Sequence, residues 1–228
     1  MVYPSKTTKI TNNLIFTMNT HHAFLVVLLC LNLCALDAIA QYSPESYPNE
    51  VYTREKYAPK IDSLRKLCGY RKKIPAEFEL QTLLALSHYP DLYRARIKFI
   101  YRKKVQLPIA ARPALGPLDI FFRFRKGRQY KIVMRVGTPY VLNRTFNQQV
   151  GIIGHELAHI QFYRHCSNIG LFRVGFCYLT NRRYRWKFEI DTDKRAIDFG
   201  FGHQYLSFPI YMYTKNVRAY MKEKGFLK

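Results

Sequence analysis

Gly151-Ile152-Ile153-Gly154-His155-Glu156-Leu157-Ala158-His159-Ile160 is the stretch on which the reading of this 228-residue chain turns. His155 and His159 stand four residues apart, so on a helix they lie one turn above the other on one face, where two imidazoles converge on a single ion. Glu156 then falls beside the ion's open position, as the general base toward a metal-activated water. Ile152, Ile153, Leu157 and Ile160 allow the helix to be buried. A buried His-Glu-His trio is costly without a metal. The helix is expected over Phe146 to Tyr163, followed by helices over Ile169–Leu179 and Arg185–Phe199, the last stopped by Gly200 and Gly202.

Two histidines and a water leave one ligand to find, and two residues compete for the place. Glu189 lies on the third of these helices with Asp193 four residues on, sharing its face. There Glu189 would ligate, and Asp193 would hold the distal N–H of a ligand imidazole. The competing reading makes Glu189, Asp191, Asp193 and Asp198 a solvated acidic face opposite Lys187, Lys194 and Arg195. His165 is the other candidate. It would ligate only if the chain broke from the helix at Phe162. If Phe162 stays helical, His165 lies about 240° around from His159, off the metal face. That geometry favours Glu189. For a second donor toward a developing oxyanion the candidates are His203, Tyr205, Tyr184 and His165.

Outward from the motif, a helix is expected over Ile61–Tyr70, a second from Pro75 through Leu86, and another near Asn216–Lys224. Arg96–Tyr101 alternates apolar and basic residues as a half-buried strand does. Ile120–Arg125 and Tyr130–Val136 flank Lys126-Gly127-Arg128 as a hairpin. Pro108 to Pro117 is too proline-rich for a central strand. Tyr130–Val136, just before the motif helix, is the candidate strand for pairing with an extended peptide. The fold class expected is α+β: a small antiparallel sheet packed on the motif helix, with the Glu189 helix opposite.

At the other end of the chain, Ala23–Ala35 is an apolar run too short for a membrane span of about 20 residues. Ala38-Ile39-Ala40 follows as a small-x-small cleavage site. Residues 18–40 therefore read as a signal peptide cleaved after Ala40, with 1–17 an upstream extension if Met18 is the start. Residues 41–75 form an N-terminal segment, Pro- and Tyr-rich and flexible to about residue 60, and 76–228 the catalytic domain. The expected location is secreted or periplasmic. Cys68, Cys166 and Cys177 then remain, either with a Cys166–Cys177 bridge or as three buried thiols. The net charge of +22 favours anionic partners, an anionic membrane surface or polymer among them. No zinc-finger, RNP or helix-turn-helix signature accompanies it, so no specific nucleic-acid reader is expected.

His155-Glu156-Leu157-Ala158-His159 followed by Glu189-x-x-x-Asp193-x-x-Ala196 resembles the gluzincin peptidases, notably those akin to the CAAX-prenyl proteases. The likeness covers about Gly151–Gly202 and departs from that family's pattern at Thr192, where a small residue is usual. The family's flanking transmembrane helices are absent here. The resemblance implies a zincin-like fold, zinc (Zn2+) held by His155, His159 and Glu189, and a peptide or protein substrate. The third histidine of metzincins would correspond to His165, but Phe162 stands where those enzymes carry Gly. The mature chain also resembles small exported uncharacterised bacterial proteins, which adds no substrate. Two other functions compete: a basic exported binding protein with a structural or vestigial metal site, and a hydrolase of non-peptide amides.

Overall fold

The computed structural model describes residues 51–105, 107–114, 127–136, 139–207 and 215–227. The expected signal peptide, the upstream extension and the Ile120–Arg125 strand with its hairpin lie outside them.

The chain is α+β. Strands β1 (Lys72–Lys73), β2 (Arg96–Arg102), β3 (Ile109–Pro113) and β4 (Gln129–Arg135) form one sheet in the order β1-β2-β4-β3. The expectation of an antiparallel sheet is corrected: β1 and β4 both run parallel to β2, and only β3 opposes β4. Tyr130, Ile132, Val133 and Met134 of β4 are buried, the near-continuous burial of an inner parallel strand. β2 instead alternates buried Ile97 and Phe99 with more exposed neighbours. An inner β4 cannot offer its backbone to a peptide, so the candidate pairing strand is β3. Among the described residues β3 is an edge, where its Pro113 is tolerated.

Besides the four-residue helical turns Arg54–Tyr57 and Pro139–Leu142, the helices are α1 (Ile61–Cys68), α2 (Glu79–Ser87), α3 (Phe146–His165), α4 (Asn168–Thr180), α5 (Arg182–Ala196), α6 (Gly202–Ser207) and α7 (Lys215–Glu223). α3 opens with a capping box between Thr145 and Gln148, which satisfies donors that a helix start leaves unpaired. It is buried almost all round from Asn147 to Gln161, as a helix with neighbours on every side must be. α2, β3, α5 and α6 supply those neighbours. At its far end the buried Arg128 donates to the carbonyls of Tyr163 (2.8 Å) and Cys166 (3.0 Å) and to Asn168 Oδ1 (2.6 Å). This residue, expected in a hairpin loop, closes the orphan carbonyls of α3.

Tyr52 and Tyr57, expected in a flexible leader, belong to the core. The Tyr52 N–H donates to Asn147 Oδ1 at 2.9 Å and its hydroxyl pairs with His88. Two buried aromatic rings packed edge to face, 5.1 Å between centroids, outweigh the polar composition around them. Cys68, Cys166 and Cys177 are free thiols, so a Cys166–Cys177 bridge is not realised; nor are all three buried, since Cys166 and Cys177 are half-buried and only Cys68 is enclosed.

Two glycines bring α6 close to α3. A Cβ on Gly151 would stand 2.6 Å from Gln204 Cβ, and one on Gly154 would stand 2.7 Å from the Phe201 ring. The chain reaches this position through a π-turn, Ile197–Phe201, in which Gly200 has φ 93°, a left-handed conformation suited to glycine. Gly154→Ala is therefore expected to lose about 1–2 kcal/mol net, because overpacking against buried Phe201 exceeds the gain in helix propensity. Gly175→Ala in α4, with nothing within 4 Å, should be neutral or gain up to about 1 kcal/mol. Urea unfolding with unchanged slope measures both.

Candidate metal centre

α3 presents His155 and His159 with ring centroids 4.8 Å apart, and α5 brings Glu189 across from them. Glu189 Oε2 lies 3.3 Å from Nε2 of His155 and 3.3 Å from Nε2 of His159. All three residues are buried, with one ligand atom from each within 4.8 Å of the others, the only such group among the described residues. Ligands bonded at about 2.05 Å in a tetrahedron stand about 3.3 Å apart. The nitrogen–oxygen spacings match that edge, so the three residues fit a divalent ion.

The other ring nitrogens are held from behind. His155 Nδ1–H donates to Asp193 Oδ1 at 2.8 Å, and the Tyr205 hydroxyl donates to the same oxygen at 2.9 Å. His159 Nδ1–H lies 3.3 Å from Thr192 Oγ1, whose own proton goes to the Phe188 carbonyl at 2.8 Å. With each Nδ1 engaged from behind, each Nε2 is left to face Glu189, donating to the carboxylate when protonated and free to ligate an ion when neutral. The free oxygen of that carboxylate, Oε1, accepts the Tyr178 hydroxyl of α4 at 2.7 Å.

Glu156 is buried beside this group and its Oε2 accepts the backbone N–H of Ala111 in β3. Burial pushes its carboxyl above the ordinary range, against the pull of His159 and His155. For Glu189 burial also opposes ionisation, but hydrogen bonds from His155 and His159 outweigh it and hold the carboxyl well below that range. For His155 burial disfavours the charged ring, yet Asp193 and Glu189 raise its pKa from 6.5 to about 10.

A cavity of about 390 Å³ opens onto His155, Glu156, His159 and Glu189, walled by β3, by Ile152 and Tyr163 of α3, and by Leu171, Val174, Gly175, Tyr178 and Leu179 of α4. The suggested oxyanion donors are not among its lining residues. Tyr205 is behind His155, while His203 meets the Phe226 ring edge-on at 5.5 Å. Tyr184 stacks on Phe188. α3 stays helical through Phe162 to His165, and His165 faces Asp91 at 3.4 Å rather than the ligand group. Of the acidic residues proposed as a solvated face, Asp191 pairs with Lys187 at the surface, whereas Glu189 and Asp193 are buried.

Tyr178 and the Ala111 N–H are parts of this centre that the sequence did not announce; a tyrosine in an apolar helix and a residue of a proline-flanked strand carry no local signal. Thr192, which departs from the family pattern, has a hydroxyl on His159. No protein-family profile, curated protein or solved structure matches the chain.

Metal analysis of purified protein should find the ion lost in Glu189→Ala and retained in His165→Ala. The reverse result would move the third ligand to His165.

A second expectation concerns pH. His155 has a raised pKa, so its pairing stabilises metal-stripped protein fully below pH 6.5 and is lost as pH rises through about 10. Glu189 has a lowered pKa, so its contribution is present above 4.5 and is lost only as pH falls through the depressed value. Metal-stripped protein should therefore melt progressively lower from pH 6.5 toward 10. Ligation needs neutral rings, so added zinc should raise the melting temperature more at pH 8 than at pH 6. Thermal scans with and without chelator measure both trends.

Proposed function

We propose that this chain is an exported zinc-dependent hydrolase of amide bonds, a metallopeptidase in which Glu156 is the general base. The observation that carries the reading is the 3.3 Å approach of both Nε2 atoms to one carboxylate oxygen, with both Nδ1 sides engaged. Two imidazoles and a carboxylate are a donor set suited to zinc, and three protein ligands leave a fourth position open. A zinc ion held there would supply Lewis-acid charge to a carbonyl oxygen and lower the pKa of a water.

The protein's own groups do the rest. Glu156 lines the cavity and is oriented by Ala111, and its raised affinity for a proton suits taking one from water and returning it to the leaving nitrogen. Tyr205 and Asp193 position His155 from behind.

β3 supports a peptide substrate. Arg135 N–H donates to the Pro108 carbonyl and Ala114 N–H to that of Gln129, so residues 108 and 114 turn toward β4. The odd-numbered residues between them turn their polar groups outward, as Ala111 does toward Glu156. Ile109 N–H and the carbonyls of Ile109 and Ala111 then form an edge on which an extended chain can pair. Ile109, Ile152, Leu171 and Val174 make the adjoining wall apolar, favouring an apolar side chain beside the scissile bond. The gluzincin resemblance at Glu189-x-x-x-Asp193 agrees with this arrangement.

The test is Glu156→Gln assayed against casein-type and peptidoglycan-type substrates. The variant should keep wild-type metal content while turnover falls at least about 100-fold. Unchanged turnover removes Glu156 from the mechanism; no turnover by wild type with zinc bound removes the hydrolase.

A further inference from the structure

α4 has two apolar faces, and only one is used by the cavity. Leu171, Val174, Gly175 and Tyr178 turn to the cavity wall. Ile169, Phe172, Phe176 and Leu179 are 63%, 62%, 59% and 77% exposed. At about 100° per residue these four fall within an arc of about 80°. Nothing among the described residues covers them. Leu179 belongs to both sets, so the exposed row runs into the cavity rim.

The sequence running through this row carries charge of one sign. From Leu157 to Phe188 the chain contains no Asp or Glu, while Arg164, Arg173, Arg182, Arg183, Arg185 and Lys187 fall within it. Arg182 and Arg183, just past the end of α4, are exposed. An apolar row bordered by arginines complements an anionic lipid surface, where rings enter the acyl boundary and guanidinium groups meet phosphates. No helix is long and apolar enough to cross a membrane among the described residues. The 13 residues of α4 extend only about 20 Å, against about 30 Å of hydrocarbon, so such a helix lies in the interface.

We infer that the outer face of α4 docks this protein on an anionic bilayer, with the cavity rim at the lipid surface. If the proposed hydrolase activity holds, its substrates are peptides presented at that surface; the docking itself requires no catalysis.

Sedimentation with phosphatidylcholine vesicles, alone or mixed with phosphatidylglycerol, tests it. Full chains compared with one another share the same N-terminal segment, so differences between them report the substitutions. Binding to the anionic vesicles should fall at least about tenfold in Phe172→Ser/Phe176→Ser and about thirtyfold in Arg182→Gln/Arg183→Gln. Leu67→Ser, which removes an exposed apolar residue of α1, should leave it unchanged. Trp186 is the single tryptophan, so Phe176→Trp in a Trp186→Phe background places a reporter on the row. Its emission should shift to the blue on anionic vesicles and be quenched by brominated acyl chains.

Equal binding by Phe172→Ser/Phe176→Ser and Leu67→Ser, or an unshifted reporter, overturns the proposal. So does a wild-type dimer in solution that Phe172→Ser/Phe176→Ser dissociates, since the row would then be a subunit interface. Glu156→Gln protein should dock like wild type, and zinc-loaded wild type that binds vesicles but turns over no substrate would refute the hydrolase and leave the docking standing.

Discussion

A single carboxylate oxygen, Glu189 Oε2, stands 3.3 Å from each of two buried imidazole nitrogens, and much of the surrounding structure serves to keep it there. Three acids, Glu156, Glu189 and Asp193, are buried around those rings. Carboxylates in such a place demand positive charge, hydrogen bonds or both. A hydrogen-bonded chain supplies part of it: Tyr178 of α4 to Glu189 of α5, across to His155 of α3, back to Asp193 of α5 and on to Tyr205 of α6. Four helices are joined by one polar thread. Removing an end leaves the inner members less well defined, whereas removing a middle member leaves a buried charge or donor unpaired.

Backbone geometry makes the thread possible. α6 reaches His155 only because Gly151 and Gly154 present no side chain to Gln204 and Phe201, and because the π-turn at Gly200 redirects the chain after α5. On the other side of α3, the parity of the β3–β4 ladder turns the Ala111 N–H away from the sheet and onto Glu156. Small residues and strand register, rather than the ligands themselves, set the precision of the site.

The parts legible in the sequence are those governed by local periodicity. His155, His159, Glu189 and Asp193 each sit at i, i+4 spacing on their own helix, and that spacing suffices to place two pairs of side chains on two faces. The helices near 146–165, 168–180 and 182–196 follow for the same reason. Strand direction was not legible, because alternation reports which face is buried and says nothing of which neighbour runs parallel. Tyr205, a candidate oxyanion donor by its place in the sequence, sits instead on the far side of His155, a distinction decided by the turn at Gly200. Thr192 and Arg128 had ordinary local readings, a family departure and a loop cation. Each acquired its role from partners distant in sequence, His159 for one and the end of α3 for the other.

α4 links these features to motion. Leu171 is the one residue of its 13 that is buried, so apolar burial holds it weakly. Its ties to the body are largely polar: Tyr178 to Glu189, Asn168 to Arg128, and the carbonyls of Tyr178 and Leu179 to Arg185. An element with few buried contacts and solvent along one side lies at the low-stability end of a fold. Any surface that covers its outer face therefore adds burial where the protein has least, and stabilises the helix carrying the Tyr178 hydroxyl to Glu189. Conversely, displacement of α4 opens the cavity wall and frees Glu189 Oε1 in the same movement. Access to the cavity and the orientation of Glu189 are thus coupled through one helix.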